Sequence, residues 1–144
     1  MEPPTQPTRF VFKMLRSVIT PPSHPAIRRI PELPFPTYRF VPGLQEHPNL
    51  SKTHKFPPVT LEQCWDYGWD LYTHHYWWEA HEVWERLWKA MPLDSEAIWP
   101  NDHPKRRYVQ GHILLSASYL LAHMGRQFEP MRAKAHRYIK EGMP

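Results

Sequence analysis

Thirteen of the chain's eighteen prolines fall at or before Pro58, and this asymmetry sets what the chain can fold into. Proline lacks a backbone donor and fixes φ, so residues 1–59 can hold neither a long helix nor a central strand. They are expected to run extended and irregular, with polyproline II character in places. The stretch "PFPTYRFVPG" at 34–43 carries Phe35, Tyr38, Phe40 and Val41. Such side chains gain from covering apolar surface, so this piece is expected to lie against whatever body follows. Residues 1 to about 30 are expected to be looser.

At Thr60 the rules change. "TLEQ" has the form of a capping box, with Thr60 as N-cap and Gln63 reaching back. Apolar residues then recur at helical spacing, and the spacing predicts helices over about 60–73, 77–91, 103–124 and 129–141. The polar stretch after Pro92 reads as a loop. Asn101 or Asp102 is the expected cap of the third helix, with Pro104 in its first turn. Gly125 is the expected left-handed stop of that helix. Period-two alternation is absent. The fold class is therefore all-α: a small four-helix bundle-like domain over 60–144, preceded by a Pro-rich, basic N-terminal arm over 1–59. The third helix is apolar nearly all round between Ile113 and Leu121, which makes it the expected central one.

Charge follows the same division. Residues 1–59 carry eight Lys/Arg against three Asp/Glu, a net of +5, and residues 60–144 carry ten against eleven, a net of −1. The arm's positive charges are dispersed among prolines, which argues against a nucleic-acid partner and for a solvated arm. No apolar run approaches the length of a membrane span. Phe10 to Ile19 is broken by Lys13 and Arg16 and lacks a small-residue cleavage site, so no leader peptide is expected. A single cysteine, Cys64, excludes an internal disulfide and a Cys-based zinc cluster, and a reducing, cytoplasmic setting is the simple expectation.

The chemistry concentrates in "YWWEAHEVWERLW", residues 76–88. On a wheel of about 100° per residue, with Trp77 at the origin, Trp84, Trp88, Ala80, Leu87 and Met91 form a stripe expected to be buried. Glu79, Glu82 and Arg86 fall on the opposite, solvent side. His81 and Glu85, at i and i+4, share one edge between Trp78 and Trp88. Three readings of that pair stay open. It can be a hydrogen-bonded pair that satisfies two partly buried groups. It can be a general base, or a grip on a polar ligand, with His81 and Glu85 catalytic and Trp78, Trp88 and Gln110 binding the ligand. Or His81 and Glu85 can be two ligands of a divalent metal ion that needs at least a third.

Gln110 opens a nearly all-apolar run, where an unpaired amide is costly, so it can hydrogen-bond His81 or Glu85 across the bundle or, near the helix end, reach water. His112 and His123 face nearly opposite ways on one helix and cannot both serve one site. His47 or His54, on the arm, is the expected third metal ligand. The chain has no Gly-rich phosphate loop and no nucleophile elbow, and Cys64 among apolar neighbours reads as a buried, inert thiol.

"YWWEAHEVWERLW" and "YVQGHILLSASYLLAHMGR" together resemble the domain of unknown function 309 family of small helical proteins. Its hallmarks are a Tyr-Trp/Tyr-Glu-x-His-Glu-x-x-Glu helix followed by a Gln-Gly-x-Ile helix. The resemblance covers roughly residues 60–142. It places the family pattern on Trp78, Glu79, His81, Glu82, Glu85, Trp88, Gln110 and Gly111. Two positions depart from it. His75 stands where a turn glycine is usual, and Leu120 stands where a histidine is common. The resemblance implies an α-helical fold and brings no established activity. Two functions follow from the residues. One is a small-molecule- or metal-binding, hydrolase-like protein centred on His81, Glu85 and Gln110. The other is a non-catalytic interaction module in which the same residues form a buried polar clasp, while aromatics such as Trp78 and Trp99 meet a partner or a second copy.

Overall fold

The computed structural model describes residues 17–92 and 99–144. The first sixteen residues, expected to be loose, and most of the expected polar loop, at 93–98, lie outside it. Four α-helices follow in chain order: α1 (Cys64–Thr73), α2 (Trp77–Ala90), α3 (Pro104–His123) and α4 (Glu129–Gly142). Among the described residues there is no strand, so the class is all-α. None of these helices is long and apolar enough to cross a membrane.

The helix ends follow local chemistry. Gln63 Oε1 accepts from the Thr60 N–H at 3.0 Å, and a short 3-10 turn over Leu61–Gln63 leads into α1. Helix α1 closes in a Schellman motif. The Tyr76 N–H donates to the Leu71 carbonyl at 2.8 Å, and the His75 N–H donates to the Tyr72 carbonyl at 3.1 Å. His75 supplies the left-handed residue, with φ 69°, where glycine would cost less. Helix α3 closes in the same way around Gly125, at φ 71°, with the Arg126 N–H donating to the Leu121 carbonyl at 2.9 Å. The cap of α3 is His103, not Asn101 or Asp102. Its side chain accepts from the Lys105 N–H at 3.2 Å, because Pro104 at the first helical position makes the residue before it the cap.

Helix α3 is the middle layer. It packs on α2 and on α4, and through Tyr108, His112 and Tyr119 it meets the aromatic rings of α1. The core is tightest around the fully buried Trp84, which stacks on Trp65 at 5.4 Å and donates its indole N–H to the Trp65 carbonyl at 3.2 Å. Its ring lies so close to Gly68 that any Cβ there would collide with it. Gly111 does the same for α3 and α4, since a Cβ would come within 2.6 Å of Ile139 Cγ1 and 2.9 Å of the Ala135 carbonyl.

Residues 17–59 contain no helix or strand and lie over α1 and α2. Ile30 joins the main core, while Ile19 and Val41 form a smaller cluster with Leu120, flanked by Trp77, Trp78 and Met124. Three of the arm's arginines are structural cations and not spare, solvated charge. Arg28 donates to Asp70 and to the Ile30 and Leu33 carbonyls and lies over Phe35. Arg29 pairs with Asp66 and covers Trp69, and Arg39 donates to the His74 carbonyl over the Tyr76 ring.

Candidate functional site

The buried residues of α2 are Glu79, Ala80, Val83, Trp84 and Leu87. Their centre lies well round the helix from the stripe expected on Trp77 and Trp88, both of which are only half-buried. The large rings misplace the stripe because tryptophan is seldom fully buried, whereas Ala80 and Val83 mark where the helix actually touches its neighbours. The rotation has two consequences. Glu79 goes inside and the His81–Glu85 edge turns outward.

Glu79 is thus not a solvated glutamate. It is fully buried, and its Oε2 accepts from the Phe40 backbone N–H at 2.9 Å and meets His54 Nε2 at 2.7 Å. His54 is itself buried, between Tyr38, Phe56 and Trp78. The arm histidine expected as a metal ligand beside His81 is therefore engaged by Glu79. The other, His47, lies edge-on to Trp78 and Phe40. Asp70 on α1 plays a similar part. Fully buried, it accepts from the Arg29 and Ile30 backbone N–H groups at 2.7 and 2.9 Å and from Arg28 Nε at 3.2 Å. Two buried carboxylates thus receive backbone donors of an arm that has no ladder of its own to satisfy them. The sequence sign was there for Asp70: a poor helix former in line with Tyr67 and Leu71.

On the outward edge, His81 Nε2 and Glu85 Oε2 are 3.4 Å apart, with side chains 30% and 32% exposed. Lys89 Nζ approaches Glu85 Oε1 at 2.8 Å. The hydrogen bond from Lys89, with the nearby charges of Lys89 and His81, holds the Glu85 carboxyl below its ordinary value against a smaller opposing effect of burial. Glu82 belongs to this edge too. His81, Glu82 and Glu85 each offer a ligand atom, all within 4.8 Å of one another. His81 also borders a cavity of about 230 Å³ walled by Trp78, Ala117, Leu120, Leu121 and Met131.

The other expected site residues are not joined to this pair. Trp88 lies under the Arg106 guanidinium at 4.0 Å, and Arg106 in turn donates to the Trp88 and Met91 carbonyls. No hydrogen bond links Gln110 to His81 or Glu85. Gln110 Oε1 and Trp88 Nε1 are both buried without a partner. His112 is buried among Trp65, Trp84 and Tyr108, with its Nδ1–H donated to the Tyr108 carbonyl at 2.8 Å, and burial lowers its pKa. His123 Nε2 donates instead to the Ser17 carbonyl. Cys64 is fully buried and its thiol pKa is raised by burial, as expected of an inert core thiol.

A family model described as Domain of unknown function (DUF309) matches residues 65–129. Those residues are a DUF309 domain. The match runs from α1 to the start of α4, and so takes in both the Glu79 clasp on α2 and the His81 edge. It ends short of the 60–142 span of the resemblance, leaving out the arm and most of α4. No curated protein and no solved structure matches the chain.

Proposed function

We propose that this DUF309 domain belongs to a small-molecule-binding protein that holds a divalent cation on His81, Glu82 and Glu85. One observation carries the reading: an imidazole and two carboxylates converge on the partly exposed face of a regular helix, at the rim of an apolar cavity. A nitrogen and two carboxylate oxygens suit zinc, manganese or a similar ion. With bonds of about 2.1 Å, two ligands of one ion stand at most about 4.2 Å apart. The observed spread of up to 4.8 Å is closed by small rotamer changes, which half-buried side chains can make. Lys89 holds Glu85 in reserve, and the ion would displace it. Such an ion polarises a ligand oxygen or activates water, the hydrolase-like chemistry. The chain's own part is to fix the three donors within about one helical turn and to wall the cavity with carbon. The rival reading, a buried clasp of His81, Glu85 and Gln110, has less support. The pair is about a third exposed, and Gln110 is not bonded to it.

The test is calorimetric titration of tag-free protein with Mn²⁺ and Zn²⁺, beside His81→Ala and Glu82→Gln. Saturable uptake that both substitutions abolish is the expected result. Uptake that survives His81→Ala, or no saturable uptake at all, overturns the reading.

A further inference from the structure

We infer that the cavity beside His81 takes a small amphipathic anion, with an alkyl or aryl body in the cavity and a carboxylate or phosphate head on Arg126. The inference rests on the reading of the His81 edge as a ligand site, and it names the class of ligand. Arg126 is exposed and lines this cavity, and no acidic side chain is among the lining residues. It also borders a second hollow of about 370 Å³, which shares Pro42, Met124 and Arg126 with the first. Joined at those residues, the two hollows reach the size of small-molecule sites, roughly 300–1,000 Å³.

What singles out Arg126 is that it has no partner among the described residues. Every other arginine among the described residues is engaged by an acceptor or a ring: Arg28, Arg29, Arg39, Arg86, Arg106, Arg107, Arg132 and Arg137. None of the ion pairs among those residues includes Arg126. Its backbone is nevertheless fixed, because it closes the Schellman motif at the end of α3 through its N–H to Leu121. A planar guanidinium is thus held at the mouth of a carbon-lined cavity with its fork of donors unspent, an arrangement that suits two-pronged recognition of a carboxylate or phosphate. In the metal-free chain Glu82 and Glu85, beside His81, repel an anionic head, which is drawn to Arg126. Met124 and Met131 are adaptable walls, suited to a range of apolar bodies. The arm supplies the remaining wall. Pro42 and Gly43 occupy a turn closed by the Leu44 N–H on the Val41 carbonyl at 3.0 Å, with Gly43 at φ 83°.

The experiment uses the full chain freed of metal with EDTA and three probes of equal length: octanoate, octyl phosphate and octanol. Binding is followed by calorimetry for wild type, Arg126→Ala and Arg126→Lys. One or both anions should bind more tightly than octanol, and the tighter one identifies the head. Arg126→Ala should weaken the anions about tenfold or more and leave octanol unchanged, while Arg126→Lys keeps part of the gain. Equal binding of anions and alcohol overturns the inference. So does anion binding that survives Arg126→Ala and falls instead with Lys105→Ala, which lines a separate apolar cavity of about 450 Å³ beside Trp65 and Met143. Metal titration of the same samples separates the two ideas. Metal uptake without anion binding sinks this inference alone, and anion binding by a chain that takes up no metal sinks the metal reading alone.

Discussion

Helix α2 takes part in two histidine–glutamate pairs, one completed by His54 of the arm and one lying wholly on the helix, and solvent makes them different objects. Glu79 and His54 meet at 2.7 Å with both side chains buried, and the carboxylate also accepts a backbone N–H of the arm. Glu85 and His81 meet at 3.4 Å, each about a third exposed, with Lys89 and Glu82 at hand. Inside, the low dielectric and the absence of competing water make each hydrogen bond costly to lose. Outside, water and salt weaken the pair and leave its lone pairs open to a ligand. The first pair holds the arm to the helix, and the second is free to bind something else.

The inner pair gives the largest expected effect. Glu79→Ala strands the Phe40 N–H and the His54 ring in a dry interior, which costs about 3–5 kcal/mol. The melting temperature should fall by on the order of 10 °C or more. The pair is not ideal, since Glu79 Oε1 and His54 Nδ1 are buried without partners. A Glu79→Met, His54→Phe double variant should therefore lose less than the two single losses combined, because it leaves fewer orphaned groups. Single losses that simply add would mean the two side chains do not act together. A Glu79→Ala chain that melts with the wild type would remove the clasp altogether.

A smaller effect comes from His112, which belongs to neither pair and calibrates both. Burial favours its neutral form and lowers its pKa from 6.5 in the folded chain. A base with a depressed folded pKa contributes stability that is complete above the unfolded value and lost as pH falls through the folded one. Stability should therefore decline as pH drops below about 6.5, and His112→Phe should flatten that decline. If the slope between pH 7 and 5 is the same in the variant, the acid sensitivity lies elsewhere.

What the residues disclosed in advance, and what they did not, follows the same boundary. The helices could be read because punctuation is local: Thr60 and Gln63 at one start, Pro104 at another, Gly125 at an end. Even His75 in the left-handed position could be anticipated, since histidine tolerates it better than most residues. The pairing of His81 with Glu85 was legible because i, i+4 neighbours meet on any helix. Glu79 was misread because its burial depends on the arm, a partner 39 residues away in sequence that no periodicity describes. Asp70 and Arg126 depend on contacts distant in sequence: one is explained by the arm's backbone and Arg28, the other by a cavity built from four separate segments. Gln110 fails for a related reason. Its position at the head of an apolar run promised a polar partner, but the rotation of α2 carried the His81 edge away from a direct bond.

The smallest expected effect on stability is the one that best separates the two pairs. Glu85→Gln keeps the shape of the side chain and removes its charge. The Lys89 hydrogen bond and the neighbouring charges lower the Glu85 pKa in the folded chain, so its contribution is present above the ordinary value of 4.5 and lost as pH falls through the folded value. At neutral pH the group is well screened at the surface, so the variant should melt with the wild type within error, and only the limb below about pH 4.5 should become slightly shallower. Metal uptake, however, should be lost, since an amide oxygen is a far weaker ligand than a carboxylate for such an ion. Glu79→Ala should show the converse: a large fall in melting temperature, with uptake intact in whatever fraction stays folded. Should Glu85→Gln melt as low as Glu79→Ala, the outer pair is a second clasp, and the cavity beside it loses its claim to be a site.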